Sequence, residues 1–150
     1  MKSPNDADLW KKRLGKLGEQ IVVERLRELG WEIEARNWRN GRCGEIDIIA
    51  RDTRDTQDIY VFLEVKTRFY PRAEMGFQTA GFDAITQGKK KKIVTSARCY
   101  LAQRGLLKTQ YRFDIVVVAF SSNPFQIDNP DSGKLQNPVI THVEHAIGGF

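Results

Sequence analysis

The sequence predicts an α/β domain in which helices flank a mixed β-sheet. Two long segments have apolar residues at three- and four-residue spacing, as in amphipathic helices, and the segments between and after them are rich in β-branched and aromatic residues, as in strands. At 150 residues the chain is expected to form one domain, 1–150, that hides roughly two thirds of its extended-chain surface. Residues 121–138, rich in Ser, Asn, Asp, Gly and Pro, are predicted to be a surface loop.

Charge and cysteine content narrow the class of protein. The formal charge of +5 and the pI of about 9.3 favour a polyanionic partner, nucleic acid before a membrane surface. The two cysteines, Cys43 and Cys99, are too few for a disulfide framework and lack the spacing of a zinc site, so we interpret them as reduced thiols. No segment approaches ~18 consecutive apolar residues, and the first residues contain no apolar run of signal-peptide length. We therefore expect a cytoplasmic protein that does not enter a membrane.

The first helix is predicted from about Asp8 to Leu29, with Gly30 as its C-terminal cap. Gly15 and Gly18 fall within its apolar arc. Because glycine is unfavourable inside a helix, we expect both to mark a close approach to another element, such as the sheet. Glu19 lies at the margin of the arc and is predicted to point along the rim of the covered surface. An ordinary solvated charge is an equally good interpretation of Glu19 from the helix alone.

Three strands are predicted to follow as a meander, at 31–38, 44–50 and 61–68. Asn40-Gly41 is a hairpin-turn signal between the first two, and the polar run 51–58 is a loop before the third. Alternation in the second strand predicts two faces, with Glu45, Asp47 and Ile49 on one and Ile46, Ile48 and Ala50 on the other. An acidic residue is thereby embedded in a strand of core residues.

The third strand, V-F-L-E-V-K-T-R, carries a carboxylate and an ammonium within a core element. Alternation places Glu64 and Lys66 on one face with Phe62, opposite Val61, Leu63 and Val65. Charged groups are rarely buried unless they are paired, hydrated or bound to metal, because desolvation costs several kcal/mol. The triplet therefore suggests a functional site, although an isolated E-x-K is also compatible with an ion pair on a solvent face.

A loop that mixes basic and aromatic residues follows, and a second helix is predicted from near Asp83 to Arg104, with Ile85 on its inner side and Gly105 at its end. This helix contains four consecutive lysines, 89–92. A run of this kind is usually a solvated face, but here it begins close to the acidic strands, where lysine can contact phosphate. The predicted nucleic-acid-binding residues are Arg68, Lys89, Lys90, Lys91 and Lys92.

The last segments predict two more strands. Residues 111–120 are nearly continuous in β-branched and aromatic residues, which is typical of a strand covered on both faces, and a helix crossover into a parallel strand fits this position. Residues 139–145 are expected to form a closing edge strand. On this sheet, Asp47 and Glu64 would lie on adjacent strands.

These residues suit phosphodiester hydrolysis. Two carboxylates from neighbouring strands, Asp47 and Glu64, can hold one Mg²⁺ (or Mn²⁺), which takes about six oxygens and keeps waters and substrate oxygens among them. The backbone carbonyl of Val65 can supply a further oxygen. Lys66 beside that ion can orient or deprotonate an attacking water, and the metal polarises the scissile phosphate.

Longer motifs carry a family resemblance. The pattern D-x16-E-x-K, following an acidic helix, resembles the site of the PD-(D/E)XK nuclease superfamily and in particular archaeal Holliday-junction resolvases. N-W-R-N-G-R-C-G-E-I-D-I-I-A-R-D, V-F-L-E-V-K-T-R, A-R-C-Y-L, R-F-D-I-V-V-V and I-T-H-V-E-H-A-I resemble the YraN-like family of bacterial proteins. The resemblance implies a restriction endonuclease-like αβββαβ core, metal ligands at Asp47 and Glu64, a catalytic lysine at Lys66 and a supporting acid at Glu19.

Some positions depart from the superfamily pattern. Ile46 stands where the superfamily has proline, immediately before Asp47. Glu45 is predicted to support the site from behind Asp47, with assistance to the metal or engagement by Arg42 left open. The acid Asp114 matches the YraN-like family and is predicted to pair with Arg112 or Arg98 rather than bind metal. His142 and His145 lack partners at zinc-type spacing and are interpreted as structural.

The sequence therefore supports three functional hypotheses. The leading one is a Mg²⁺-dependent endonuclease on DNA, with branched or damaged DNA as candidate substrates. The alternative is a catalytically silent nucleic-acid-binding module, and the third is a structural or partner-binding domain. No base-reading motif occurs, so DNA shape or strandedness is expected to determine selectivity. Homodimer formation is left open.

Overall fold

Two helices and five strands make up the fold in a computed structural model, which describes residues 4–41, 44–70, 85–125 and 138–148. They are α1 (Pro4–Glu28), β1 (Glu32–Arg39), β2 (Glu45–Asp52), β3 (Ile59–Phe69), α2 (Gln87–Gln103), β4 (Tyr111–Phe120) and β5 (Val139–Val143). This order confirms the predicted αβββαβ arrangement with a closing strand. Most of the loop after β3 and of the predicted surface loop 121–138 lies outside the described residues. Neither helix is long and apolar enough in the described ranges to span a membrane.

The strands form one mixed sheet in the order β1-β2-β3-β4-β5. The first three are an antiparallel meander, β4 runs parallel to β3, and β5 returns antiparallel along β4. Parallel pairing requires a crossover connection, and α2 lies within it. The meander, the helix crossover and the closing edge strand are therefore as predicted.

The helices cover opposite faces of the sheet. On one face, α1 packs through Leu14, Val22 and Leu26 against a cluster that includes Val61, Leu63, Val65, Val116 and Val118. On the other face, α2 packs through Ile93, Ala97, Tyr100 and Leu101 against Ile49, Phe62 and Phe113. The predicted alternation of β3 is thereby confirmed, and we call these the α1 face and the α2 face.

Strict alternation fails in β2. Ile48 and Ala50 lie in the cluster beneath α1, but Ile46, predicted to share their face, packs with Ile49 beneath α2. The neighbouring strand has an irregularity at the same level. Asn37 has a positive φ of 48° and lies between the pairs Arg36–Ile48 and Trp38–Ile46. A left-handed residue turns the strand there, which brings Trp38 and its partner Ile46 to the α2 face.

Only one of the two glycines predicted to mark a close approach does so. A Cβ atom on Gly18 would lie 2.9 Å from both Cβ and Cγ2 of Thr67 on β3, closer than such atoms can pack. Nothing lies within 4 Å of the equivalent atom on Gly15, so that prediction was wrong. Of these two glycines, only Gly18 therefore lies at a tight contact between α1 and β3.

The second helix begins later than predicted. Thr86 has an extended backbone and its side chain accepts a hydrogen bond from the backbone N–H of Lys89, which makes Thr86 the N-cap. Ile85 was wrongly placed on the inner side of the helix. It is buried, but it precedes the helix and packs with Ile115 and Val117. The predicted start at Asp83 lies outside the described residues.

A buried ionic network joins three strands on the α1 face. Arg112 donates to Asp52 (3.0 Å) and to Asp114 (3.0 Å), and Asp114 also contacts Nε2 of His142 at 2.8 Å. The side chains of Arg112 and Asp114 are 5% and 0% exposed. Asp114 therefore pairs with Arg112, one of its two predicted partners. The backbone N–H of His145 also donates to Asp114.

Hydrogen bonds to Asp52 stabilise the ionised form of its carboxyl group. Burial disfavours its charged form, but hydrogen bonds from the side chain and backbone of Arg54 and from Arg112 outweigh that effect and lower the pKa of Asp52 to about 2. Because this pKa lies below that of the unfolded chain, the ionised carboxylate stabilises the fold above about pH 4. The contribution is lost as the pH falls from about 4 towards 2.

We expect Gly18→Ala to lower the free energy of unfolding by about 1–3 kcal/mol, because the added methyl group overpacks the contact with Thr67. Gly15→Ala is the matched control, since it makes the same change in the same helix where space is open. It should stabilise the protein by about 0.5–1 kcal/mol. Urea unfolding of the two variants checks both values, and equal stabilisation by both would contradict the tight contact.

We expect Asp52→Asn to destabilise the protein by about 2 kcal/mol at pH 6, and the difference from the parent to shrink as the pH approaches 2. The free energy of unfolding, measured by urea titration at several pH values, provides the test. Asp55→Asn, at an exposed position in the following loop, is the control and should show no such pH dependence. A deficit for Asp52→Asn that stays constant with pH would show that the charge is unimportant.

Candidate functional site at the opening between two strands

The β2–β3 ladder ends just before the predicted site. Its last pair is Ile48 with Leu63, so continuation of the register places Asp47 opposite Glu64. There the backbone N–H of Val65 donates to the Asp47 carboxylate at 2.8 Å instead of to a carbonyl of β2. The pairing of β3 with β4 continues beyond this level to Phe69. The two predicted carboxylates therefore meet where β2 and β3 cease to pair.

Glu64 is buried and carries two ammonium partners. Its side chain is 5% exposed, and Lys66 lies 3.0 Å from its Oε1 atom. Lys89, which reaches across from the first turn of α2, contacts the same oxygen. The predicted neighbours Glu64 and Lys66 are thus together, with a second lysine from a different element beside them.

This crowding shifts the pKa values of the group. Burial, and then the negative charge of Glu64, raise the pKa of Asp47 to about 8 despite the opposing hydrogen bond from Val65. Burial and the adjacent Lys89 lower the pKa of Lys66 below its ordinary value, although Glu64 opposes this. Asp47 therefore holds a proton easily and Lys66 gives one up easily, compared with the same groups in water.

Glu19 approaches the same place from α1. Burial raises its pKa, as do the nearby charges of Glu45 and Glu64, while a hydrogen bond from Asn37 lowers it. With its amide nitrogen turned towards the carboxylates, Asn37 donates to Glu19 (3.2 Å) and to Glu45 (3.0 Å). Glu19 therefore lies at the rim of the opening, as its position in the helix predicted, rather than as a separate solvated charge.

Glu45 is held by a partner that the sequence did not indicate. Nε of Arg39, its cross-strand neighbour, donates to Glu45 at 2.8 Å. Arg42, the partner considered for Glu45 from the sequence, lies outside the described residues. Glu45 is bound on one side by Arg39 and on the other by Asn37, so it contributes negative charge behind Asp47 while its own oxygens are occupied.

The predicted nucleic-acid-binding residues separate into two groups. Lys89 is committed to Glu64, whereas Lys91 and Lys92 are exposed on the outer surface of α2 and Lys90 is half-buried. Arg68 is half-buried near the end of β3 and donates to the carbonyl of Thr67. Lys89 is therefore not part of the free lysine surface that the sequence predicted for phosphate binding.

The donor set fits a hard divalent ion that retains water. Two carboxylates converge in a buried place, where burial and then the charge of Glu64 raise the pKa of Asp47. Within the described ranges, no three His, Cys, Asp or Glu side chains are placed to hold one ion together. Mg²⁺ is commonly bound by one or two carboxylates, with waters and phosphate oxygens completing its shell.

Two residues of this site were missed or misplaced by sequence reasoning. Asn37 was not singled out, yet asparagine is among the few residues that tolerate a positive φ, and this property offered a signal. Lys89 was assigned to phosphate binding as one of four similar lysines. Its position three residues after the N-cap Thr86 sets it apart only once the helix start is known.

Comparison with other sequences places the chain in a family. The profile of a family described as "Uncharacterised protein family UPF0102" matches residues 18–118, which include Glu19, Asp47, Glu64, Lys66 and Lys89. A UPF0102 protein of Nocardia farcinica is 43% identical over 134 residues, covering 89% of this chain and 88% of the relative. A UPF0102 protein of Symbiobacterium thermophilum is 38% identical over 135 residues, covering 90% and 98%. A third, of Desulforapulum autotrophicum, is 37% identical over 119 residues, covering 79% and 89%. The chain therefore belongs to the UPF0102 family, which is the YraN-like family that its motifs predicted.

Proposed function

We propose that the protein is a metal-dependent endonuclease that hydrolyses phosphodiester bonds in DNA, within the PD-(D/E)XK superfamily that its motifs resemble. One observation carries the proposal. Asp47, Glu64 and Lys66 meet where β2 and β3 stop pairing, with Glu19 at the rim. A purely structural site would have little reason to collect three acids and two lysines at a gap in a hydrogen-bond ladder, because buried charges are costly.

Lys66 is the group best placed to handle a proton. Its lowered pKa makes the neutral amine more accessible than in an exposed lysine, so it can accept a proton from an attacking water. The water oxygen then forms a bond to phosphorus, and the bond from phosphorus to the leaving sugar oxygen breaks. Glu64 holds Lys66 within 3.0 Å and so fixes where that proton goes.

The acidic residues supply the metal-binding role. Asp47, Glu64 and the carbonyl of Val65 would hold Mg²⁺ or Mn²⁺, which when bound polarises the phosphate and stabilises its developing charge. The Val65 N–H keeps the Asp47 carboxylate pointed into the opening. Glu19, bridged to Glu45 by Asn37, adds negative charge at the rim that favours a cation there.

The charge of the chain supports DNA as the substrate class. The net charge of +5 and the exposed lysines of α2 suit a phosphate backbone, and Arg68 extends this surface along β3. Backbone contacts carry no sequence information, so branched or damaged DNA would be selected by its shape. A silent nucleic-acid-binding module is the alternative, favoured by the fact that Lys66 and Lys89 already pair with Glu64, one of the two carboxylates that a metal would need.

We expect the parent protein to cleave plasmid, single-stranded, flap or four-way-junction DNA in Mg²⁺ or Mn²⁺. Asp47→Asn, Glu64→Gln and Lys66→Ala should each lower the rate about 100-fold or more, because each removes a metal ligand or the proton acceptor. Asp55→Asn and Lys108→Ala make the same chemical changes at exposed positions and should retain full activity. Cleavage that survives in Asp47→Asn and Lys66→Ala would assign the activity to a contaminant. Binding without cleavage on every substrate would favour the silent module.

We also expect millimolar Mg²⁺ or Ca²⁺ to raise the thermal unfolding midpoint of the parent, since a ligand that binds only the folded state stabilises it. Asp47→Asn and Glu64→Gln should lose this response, and chelation with EDTA should abolish it in the parent. Asp47→Asn should be at least as stable as the parent without metal, because burial and then the charge of Glu64 disfavour a charged carboxylate at this position and raise the pKa of Asp47. A metal response that persists in both variants would place the ion elsewhere.

A further inference from the structure

The contact between Lys89 and Glu64 is unlike the rest of the lysine run. Lys89 lies at the start of α2, but its ammonium group meets the same carboxylate oxygen as Lys66, which comes from β3. Glu64 thus has two lysine partners that come from two different elements. Adding a divalent cation would leave an excess of positive charge at the site unless one lysine moves away.

The two lysines differ in their freedom to leave. The side chain of Lys66 is 16% exposed and lies two residues from Glu64 on the same strand, which keeps it beside the carboxylate. The side chain of Lys89 is 41% exposed and extends from a helix on the other side of the opening. A lysine ammonium is a strongly hydrated point charge on a flexible four-carbon stem, so Lys89 can turn towards solvent at low cost.

We propose that Lys89 is a tethered counter-ion. It neutralises Glu64 while the metal is absent, yields that carboxylate when a divalent cation binds, and then contacts the phosphate of the incoming nucleic acid. This inference rests on the proposed function and adds to it a coupling between two ligands. A bound metal that releases Lys89 strengthens the binding of nucleic-acid phosphate. By thermodynamic reciprocity, bound phosphate strengthens metal binding by the same factor.

The first test measures metal affinity without nucleic acid or catalysis. Isothermal titration of Mg²⁺ or Mn²⁺ into Lys89→Met should give a dissociation constant about tenfold or more lower than that of the parent, because the competing charge is gone. Lys89→Gln, which keeps a polar group against Glu64, should shift in the same direction. Lys91→Met makes the same change in net charge on the exposed surface of α2 and should bind metal as the parent does.

The second test measures DNA binding in the presence and absence of metal. Ca²⁺ serves as the divalent ion, and the probe is a labelled four-way junction followed by fluorescence anisotropy. In EDTA, Lys89 is engaged by Glu64, so Lys89→Met should bind DNA as tightly as the parent. In Ca²⁺ the released lysine contributes, and the variant should bind several-fold more weakly. Lys91→Met should lose the same factor in both conditions.

The outcomes separate this inference from the proposed function. Equal metal affinity in the parent and in both Lys89 variants would overturn the counter-ion role and leave the nuclease proposal standing. Equal loss of DNA affinity in EDTA and in Ca²⁺ would make Lys89 an ordinary surface contact and would also overturn it. Absence of metal binding by the parent and the variants alike would overturn the proposed function, and this inference with it.

Discussion

The structure depends on the point at which β3 stops pairing with β2 while it continues to pair with β4. Beyond Leu63 the backbone of β3 loses its neighbour on one side. A buried N–H without a partner is costly, and the Asp47 carboxylate satisfies that of Val65. The same hydrogen bond aims the carboxylate into the opening between the strands. One backbone requirement therefore determines where the first acid of the site points, and the register places Glu64 beside it.

The two helices bring the remaining groups to this opening from opposite faces. On the α1 face, the absence of a side chain at Gly18 lets the helix approach Thr67, and the next residue, Glu19, lies at the rim. On the α2 face, the N-cap Thr86 fixes the start of α2 and places Lys89 within reach of Glu64. Charges from three layers, the two helices and the sheet, thus converge at the opening, and the positions of Glu19 and Lys89 follow from a local packing and a local capping requirement.

In the part of the chain that the structure describes, two sets of buried charges differ in how the fold shifts their pKa values. The network of Asp52, Arg112, Asp114 and His142 is joined by hydrogen bonds between these side chains, and those that Asp52 accepts from Arg54 and then from Arg112 lower its pKa. At the opening, burial and mutual repulsion raise the pKa of Asp47 and burial lowers that of Lys66. The first arrangement stabilises charged groups inside the fold. The second makes charged groups less stable than in water, a feature that clusters at functional sites.

The sequence was enough to predict the order of the elements, the meander, the parallel crossover and the adjacency of Asp47 and Glu64. Hydrophobic periodicity and turn residues are local, and for β3 the two-residue alternation was enough to assign both faces. Motifs along most of the chain also predicted the family. Features that depend on neighbours distant in the chain could be assigned only from the folded structure. The left-handed Asn37 reversed the expected face of Ile46 across the strand pair, and only the distance to Thr67 distinguished Gly18 from Gly15. Four consecutive lysines look alike in sequence, but the start of α2 and its position over the sheet bring one of them, Lys89, to Glu64.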